Sequence, residues 1–130
     1  MTTSFPCLAS VPALLNATPQ ELAFATLHLA FADQLGEQAP RSSADRVFQR
    51  AIQALAILPF EFESFKWFGA LGDPQVQAFA PVIYEGILYA EQRLCLWREA
   101  PFGDSSGAAL VLLRRGRMLL SGGDPATYLG

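Results

Sequence analysis

The first clear periodic segment of the chain opens at Thr18-Pro19-Gln20-Glu21. A capping threonine, proline at the first helical position and glutamate three residues after the cap together satisfy the orphan amides of a helix start. The pattern predicts a helix over 18–36 that runs to Leu35, with Gly36 as a left-handed stop. At helical spacing Phe24, Leu27, His28, Phe31 and Leu35 share a stripe, Leu22 and Leu29 lie opposite, and alanines fill much of what remains. A helix apolar all round belongs in the middle of something.

After a connection containing Pro40, Ser42 or Ser43 can cap a second helix with Asp45 in its first turn. Val47, Phe48, Ala51, Ile52 and Leu55 form a clean stripe opposite Arg46, Gln49, Arg50 and Gln53. This helix is expected to end near Leu58, because Pro59 disfavours helical geometry in the residue before it. Phe60, Phe62, Phe65, Trp67 and Phe68 then gather a third of the aromatic residues into one short stretch, interleaved with Glu61, Glu63 and Lys66. Neither a helical nor a strand period fits them well, and a short helix is the preferred reading.

Asp73-Pro74 is a second cap-plus-proline start, and Pro81 begins a fresh turn or kinks the helix. The longest helix is expected over Pro81–Glu99, with a main stripe of Ile83, Gly86, Ile87, Ala90, Leu94 and Trp97. A second strip, Tyr84, Leu88 and Cys95, reads as an exposed or partner-covered ridge. Further on, the apolar runs Ala109–Leu113 and Met118–Leu120 flank Arg114-Arg115-Gly116-Arg117. A two-residue turn at Arg115-Gly116 would make residues 108–121 a β-hairpin. The competing reading is one helix over Gly107–Ser121, in which Gly116 costs about 1 kcal/mol. Residues 1–17, broken by Pro6 and Pro12, read as an extended arm, and 122–130 as a loose tail.

These elements predict a mostly α fold: one domain over 1–130, a compact bundle of four or five helices within 18–99, and the C-terminal hairpin packed on it. Composition agrees, since 52% of the 130 residues are hydrophobic and 16% charged, against a usual charged share of about 25%. The expected core is Phe24, Leu27, Phe31, Val47, Phe48, Ile52, Leu55, Ile83, Ile87, Leu94 and Trp97.

Charge narrows the function classes. Nine basic residues against twelve acidic give −3, which argues against binding that depends on phosphate neutralisation, whether of nucleic acid or of an anionic membrane. No stretch approaches the ~20 apolar residues of a membrane span, and a charge-free opening without a basic n-region does not read as a signal peptide. The expected compartment is the cytoplasm of a bacterium.

Candidate chemistry is sparse. His28 is the single histidine, so a multi-histidine metal site is excluded; a core-edge imidazole is the plainer reading than a ligand for a buried cofactor. Cys7 and Cys95 are far apart in apolar surroundings, so a disulfide is not expected, and Cys95 reads as an inert thiol. Glu61 and Glu63 would meet only on a strand and otherwise punctuate the aromatic segment as solvated charges. Arg114, Arg115 and Arg117 can grip phosphate or carboxylate oxygens, or simply decorate a turn.

The reading favoured by this pattern is a non-enzymatic interaction module, an adaptor, assembly chaperone or inhibitor that binds a protein or dimerises. Two helices apolar on more than one face are more than a short chain hides easily. The expected partner surface is Phe62, Phe65, Trp67, Tyr84, Leu88 and Arg115, with no cofactor and no metal. The alternative is a carrier or sensor of a small apolar ligand, its aromatic-lined pocket near His28 and faced by Phe24, Phe31, Phe65 and Trp67.

Overall fold

A computed structural model describes residues 5–38, 40–55, 74–99 and 109–130. Six helices and three strands occur among them: α1 (Val11–Leu15), α2 (Pro19–Phe31), β1 (Arg41–Ser43), α3 (Ala44–Leu55), α4 (Pro74–Gln92), β2 (Leu96–Glu99), β3 (Ala109–Leu112), α5 (Arg114–Leu120) and α6 (Pro125–Leu129). The fold is mostly helical with a small antiparallel sheet, as the sequence predicts.

Helix α2 starts where its cap residues require. The Glu21 amide donates to Thr18 Oγ1 at 3.2 Å, and that hydroxyl donates to Glu21 Oε1 at 3.1 Å. Its all-round apolarity is consumed inside the chain. Leu22, Ala23, Ala25, Thr26, Leu27, Ala30 and Phe31 are all buried, because α4 packs along one side while α3, β1, α5 and α6 cover the others. The α2–α4 crossing is close at Gly86, where a Cβ would stand 2.8 Å from Leu22 O and 2.6 Å from Thr26 Oγ1. Beyond Phe31 the helix tightens into a 3-10 turn over Ala32–Gln34. Gly36 does not take the left-handed conformation expected of it, since Gly122 is the glycine with positive φ among the described residues.

Helix α3 follows its stripe: Val47, Phe48, Ala51 and Ile52 are buried and Leu55 half-buried. Ser43 is the cap, accepting from the Arg46 amide at 3.1 Å. The aromatic segment 60–68, with Glu61 and Glu63, lies outside the described residues.

Three expectations change. The long helix starts at Pro74, carries Pro81 within it and stops at Gln92, so Leu94 and Trp97 leave the expected core and are 63% and 53% exposed. The hairpin exists but not at Arg115-Gly116: β3 pairs with β2, Leu96 opposite Leu112 and Glu99 opposite Ala109. Residues Arg114–Leu120 form α5 because Gly116 lets the helix rest on the backbone of Cys95, where a Cβ would come within 2.2 Å of Cys95 O. Local propensity weighed the cost of that glycine and carried no information about the contact. Finally, the arm and the tail are structured. Cys7 and Leu8 are buried and Phe5 meets Phe24 edge-on at 5.4 Å. In α6, capped by Asp124, Leu129 is fully buried and its carbonyl accepts from the Tyr89 hydroxyl at 2.6 Å.

The sheet order is β1-β3-β2. Ser42, Leu96, Leu110 and Leu112 face the core. Arg41, Ser43, Val111, Ala109, Trp97 and Glu99 form the opposite face, crossed by an ion pair between Arg41 and Glu99.

Candidate functional site

The turn between α4 and β2 holds the least ordinary backbone of the described residues. The Leu94 amide donates to Glu91 O and the Cys95 amide to Ala90 O, each at 3.0 Å. That pair of bonds is a Schellman closure, whose C′ residue is usually glycine. Here it is Leu94, at φ 60°, the one non-glycine with positive φ among the described residues. A left-handed L-residue costs roughly 1–2 kcal/mol, and such strain persists only where the surroundings over-determine it.

The surroundings do. Arg115 donates from Nε to Arg93 O at 3.1 Å and from Nη2 to Tyr128 O at 3.1 Å. The Cys95 thiol donates to the same Arg93 oxygen at 3.7 Å, and Cys95 O accepts from the Leu113 amide at 3.0 Å. The peptide joining Arg93 to Leu94 is thus fixed from α5, while the Leu94 side chain is 63% exposed. Arg93 lies over the Tyr89 ring at 5.0 Å and donates to the Tyr89 hydroxyl at 3.1 Å, and Arg115 lies over Tyr128 at 5.2 Å. Three residues after Leu94 comes Trp97, on the open face of the sheet, at most about 11 Å away along the chain.

On each sheet edge one outward-pointing amide is taken by a side chain. The Leu113–Cys95 and Leu112–Pro40 bonds set the alternation in which the Arg98 and Arg41 amides point outward. The Arg98 amide donates to Glu91 Oε2 at 3.2 Å and the Arg41 amide to Gln34 Oε1 at 3.0 Å. Glu91 also receives Arg98 Nε at 2.9 Å and Nη2 at 3.1 Å. These hydrogen bonds hold the Glu91 carboxyl below its usual range, outweighing the opposing effect of burial.

Of the residues expected at the partner surface, Tyr84, Leu88 and Arg115 are among the described residues. Phe62, Phe65 and Trp67 lie outside the described residues. Tyr84 is half-buried, its ring 5.1 Å from Phe48 on α3. Leu88 is 40% exposed on α4. Arg115 sits in the turn cluster instead of a hairpin tip, and Arg117 likewise serves the backbone, donating to Leu35 O at 2.9 Å and to Glu37 O at 2.8 Å. Leu94 and Trp97 were missed as surface residues because the segment carries no glycine, asparagine or proline to announce a helix stop before Glu99.

The region around His28 is an open depression of about 470 Å³ lined by His28, Leu29, Ala32, Asp33, Arg50, Gln53 and Ala54. Among the described residues no phenylalanine, tyrosine or tryptophan lines it. Phe31 is wholly buried elsewhere and Phe24 is turned toward Phe5. Arg50 is already committed, to Asp33 at 2.9 Å and to the Leu29 carbonyl. Asp33 titrates below its usual range: burial pushes it up, but the hydrogen bond and charge of Arg50 prevail. His28, packed on Phe5 at 4.9 Å, is pushed down from 6.5 by burial.

Burial also raises the Cys7 and Cys95 thiols, which suits neither for nucleophilic work. Among the described residues no three of His, Cys, Asp and Glu cluster as metal ligands, and no helix is long and apolar enough to cross a membrane. Comparison with protein-family models, curated proteins and solved structures gives no match.

Proposed function

We propose that this chain is a non-enzymatic interaction module, and that Leu94 and Trp97, at the entry to β2, are the residues it presents to a partner protein. The observation that supports this reading is Leu94 itself: the most exposed of the large apolar side chains described, held in a conformation that glycine would adopt without strain. Neither packing nor backbone geometry favours leucine there, so the side chain serves something outside the described fold. Trp97 adds a large aromatic anchor of the type that dominates interface energetics.

The mode of contact is face and turn, not strand addition, since Glu91 and Gln34 each occupy an outward donor on one of the two short edges. A two-fold contact centred on Leu94 would bring the Arg93 and Arg115 charges of two copies close together, which favours a different protein as the partner at this site. The test is capture from native lysate with wild-type, Leu94→Gly and Trp97→Ala chains, each shown folded by circular dichroism. A protein retained by wild type and lost by both variants supports the reading. Identical capture by all three overturns it.

A further inference from the structure

Resting on that reading, we infer the chemistry of the partner: an acidic segment that lays an apolar side chain on Leu94 and places a carboxylate on the Arg93–Arg115 pair. The two guanidiniums converge on the end of α6: Arg115 Nη2 donates to Tyr128 O, and Arg93 Nη2 to the Tyr89 hydroxyl, which itself donates to the next carbonyl, Leu129 O. Both are exposed, and so is Arg114 beside them. Every other partner they hold is neutral: the Tyr89 hydroxyl for Arg93, and the Tyr128 carbonyl for Arg115. The carboxylate nearest in sequence, Glu91, is bonded to Arg98. Among the described residues the ion pairs go to Arg41, Arg50 and Arg98, so Arg93 and Arg115 carry positive charge that no carboxylate of those residues answers.

On a chain of net charge −3 this local excess is a complementarity signal, because like-charged surfaces elsewhere repel an acidic partner from the wrong approach. The guanidiniums are also preorganised. Each lies over a tyrosine ring, at 5.0 and 5.2 Å, and Arg115 commits only Nε and Nη2 to the protein, leaving Nη1 and the unbonded donors of Arg93 to a fork-shaped acceptor. Leu94 adjoins them at the same peptide, so one short segment reaches both. A phosphodiester strand offers the charge without an apolar anchor for Leu94, which favours a carboxylate-bearing peptide.

The test is selection from a displayed random-peptide library on the full chain, followed by titration of the retained peptides against wild type, Arg93→Glu, Leu94→Gly and Trp97→Ala. Arg93 is the choice because it holds only Tyr89, whereas Arg115 ties α5 to the turn and to α6. Retained peptides rich in Asp and Glu around an apolar residue, weakened about tenfold or more by Arg93→Glu and by added salt, support the inference. Peptides with no acidic enrichment that still lose binding to Leu94→Gly overturn the acidic partner and leave the interaction surface standing. Binding indifferent to Leu94 and Trp97 overturns the surface itself. Displacement of the acidic peptides by a single-stranded oligonucleotide that binds more tightly, with the same dependence on Arg93, overturns the inference in favour of phosphate.

Discussion

Arg115 donates from Nε to the carbonyl oxygen of Arg93 at 3.1 Å, joining α5 to the end of α4 across twenty-two residues. That bond lies on the peptide that carries Leu94 into the left-handed region, and it explains how an unfavourable residue is kept in a fixed turn. The strain and its restraint are parts of one arrangement: α5 reaches the turn because Gly116 admits it, and the turn offers carbonyls because α4 stops at Gln92.

Gly116→Ala is therefore expected to destabilise the fold by more than a helix-propensity gain of about 1 kcal/mol can offset. Its Cβ would lie 2.2 Å from Cys95 O, a backbone atom that cannot swing aside. Overpacking of this kind costs roughly 1–3 kcal/mol. Urea unfolding checks it, and an unchanged or raised midpoint would show that α5 is not seated on Cys95.

Glu91→Ala is expected to open the β2 edge. The Arg98 amide loses its acceptor, and an exposed row of donors invites pairing with a second chain. Sedimentation velocity should show concentration-dependent association for Glu91→Ala and much less for Glu91→Gln, whose amide oxygen still accepts from Arg98. Equal association by both variants, or by neither, contradicts the capping role.

Acid should weaken the fold in two stages. The folded His28 titrates below 6.5 through burial, so the unfolded chain binds the proton more readily. The stability from its neutral form is full above 6.5 and is lost as pH falls towards the lower folded value. Glu91, through the hydrogen bonds of Arg98, and Asp33, where Arg50 prevails over burial, have folded values below 4.5 and 3.8. Their contributions are present above those values and disappear as pH falls through the folded ones. Urea midpoints measured against pH should show both stages, and His28→Gln should remove the upper one alone.

The parts legible in the sequence are those decided locally. The Thr18 capping box gave the start of α2, and Val47, Phe48, Ala51 and Ile52 gave the buried face of α3. What stayed hidden depends on contacts between distant residues. β1 is Arg41-Ser42-Ser43, polar and three residues long, and is a strand only because β3 pairs with it. The stop of α4 has leucine where glycine usually marks the end, so the stripe of Ile83 and Ile87 extrapolates wrongly to Leu94 and Trp97. At the C-terminus, Asp124-Pro125 repeats the cap-plus-proline signal of Thr18-Pro19, but Gly122-Gly123 draws attention away from it. The candidate surface was least legible, because its defining property is a backbone angle.

The most direct test of the account is Leu94→Gly, measured for stability and for partner capture in the same preparation. Relief of the left-handed strain should leave unfolding stability unchanged or raised by up to about 1 kcal/mol, while the partner held by wild type is lost. A variant that unfolds more easily yet retains that partner would mean that leucine stands at this turn for the fold and not for an interaction.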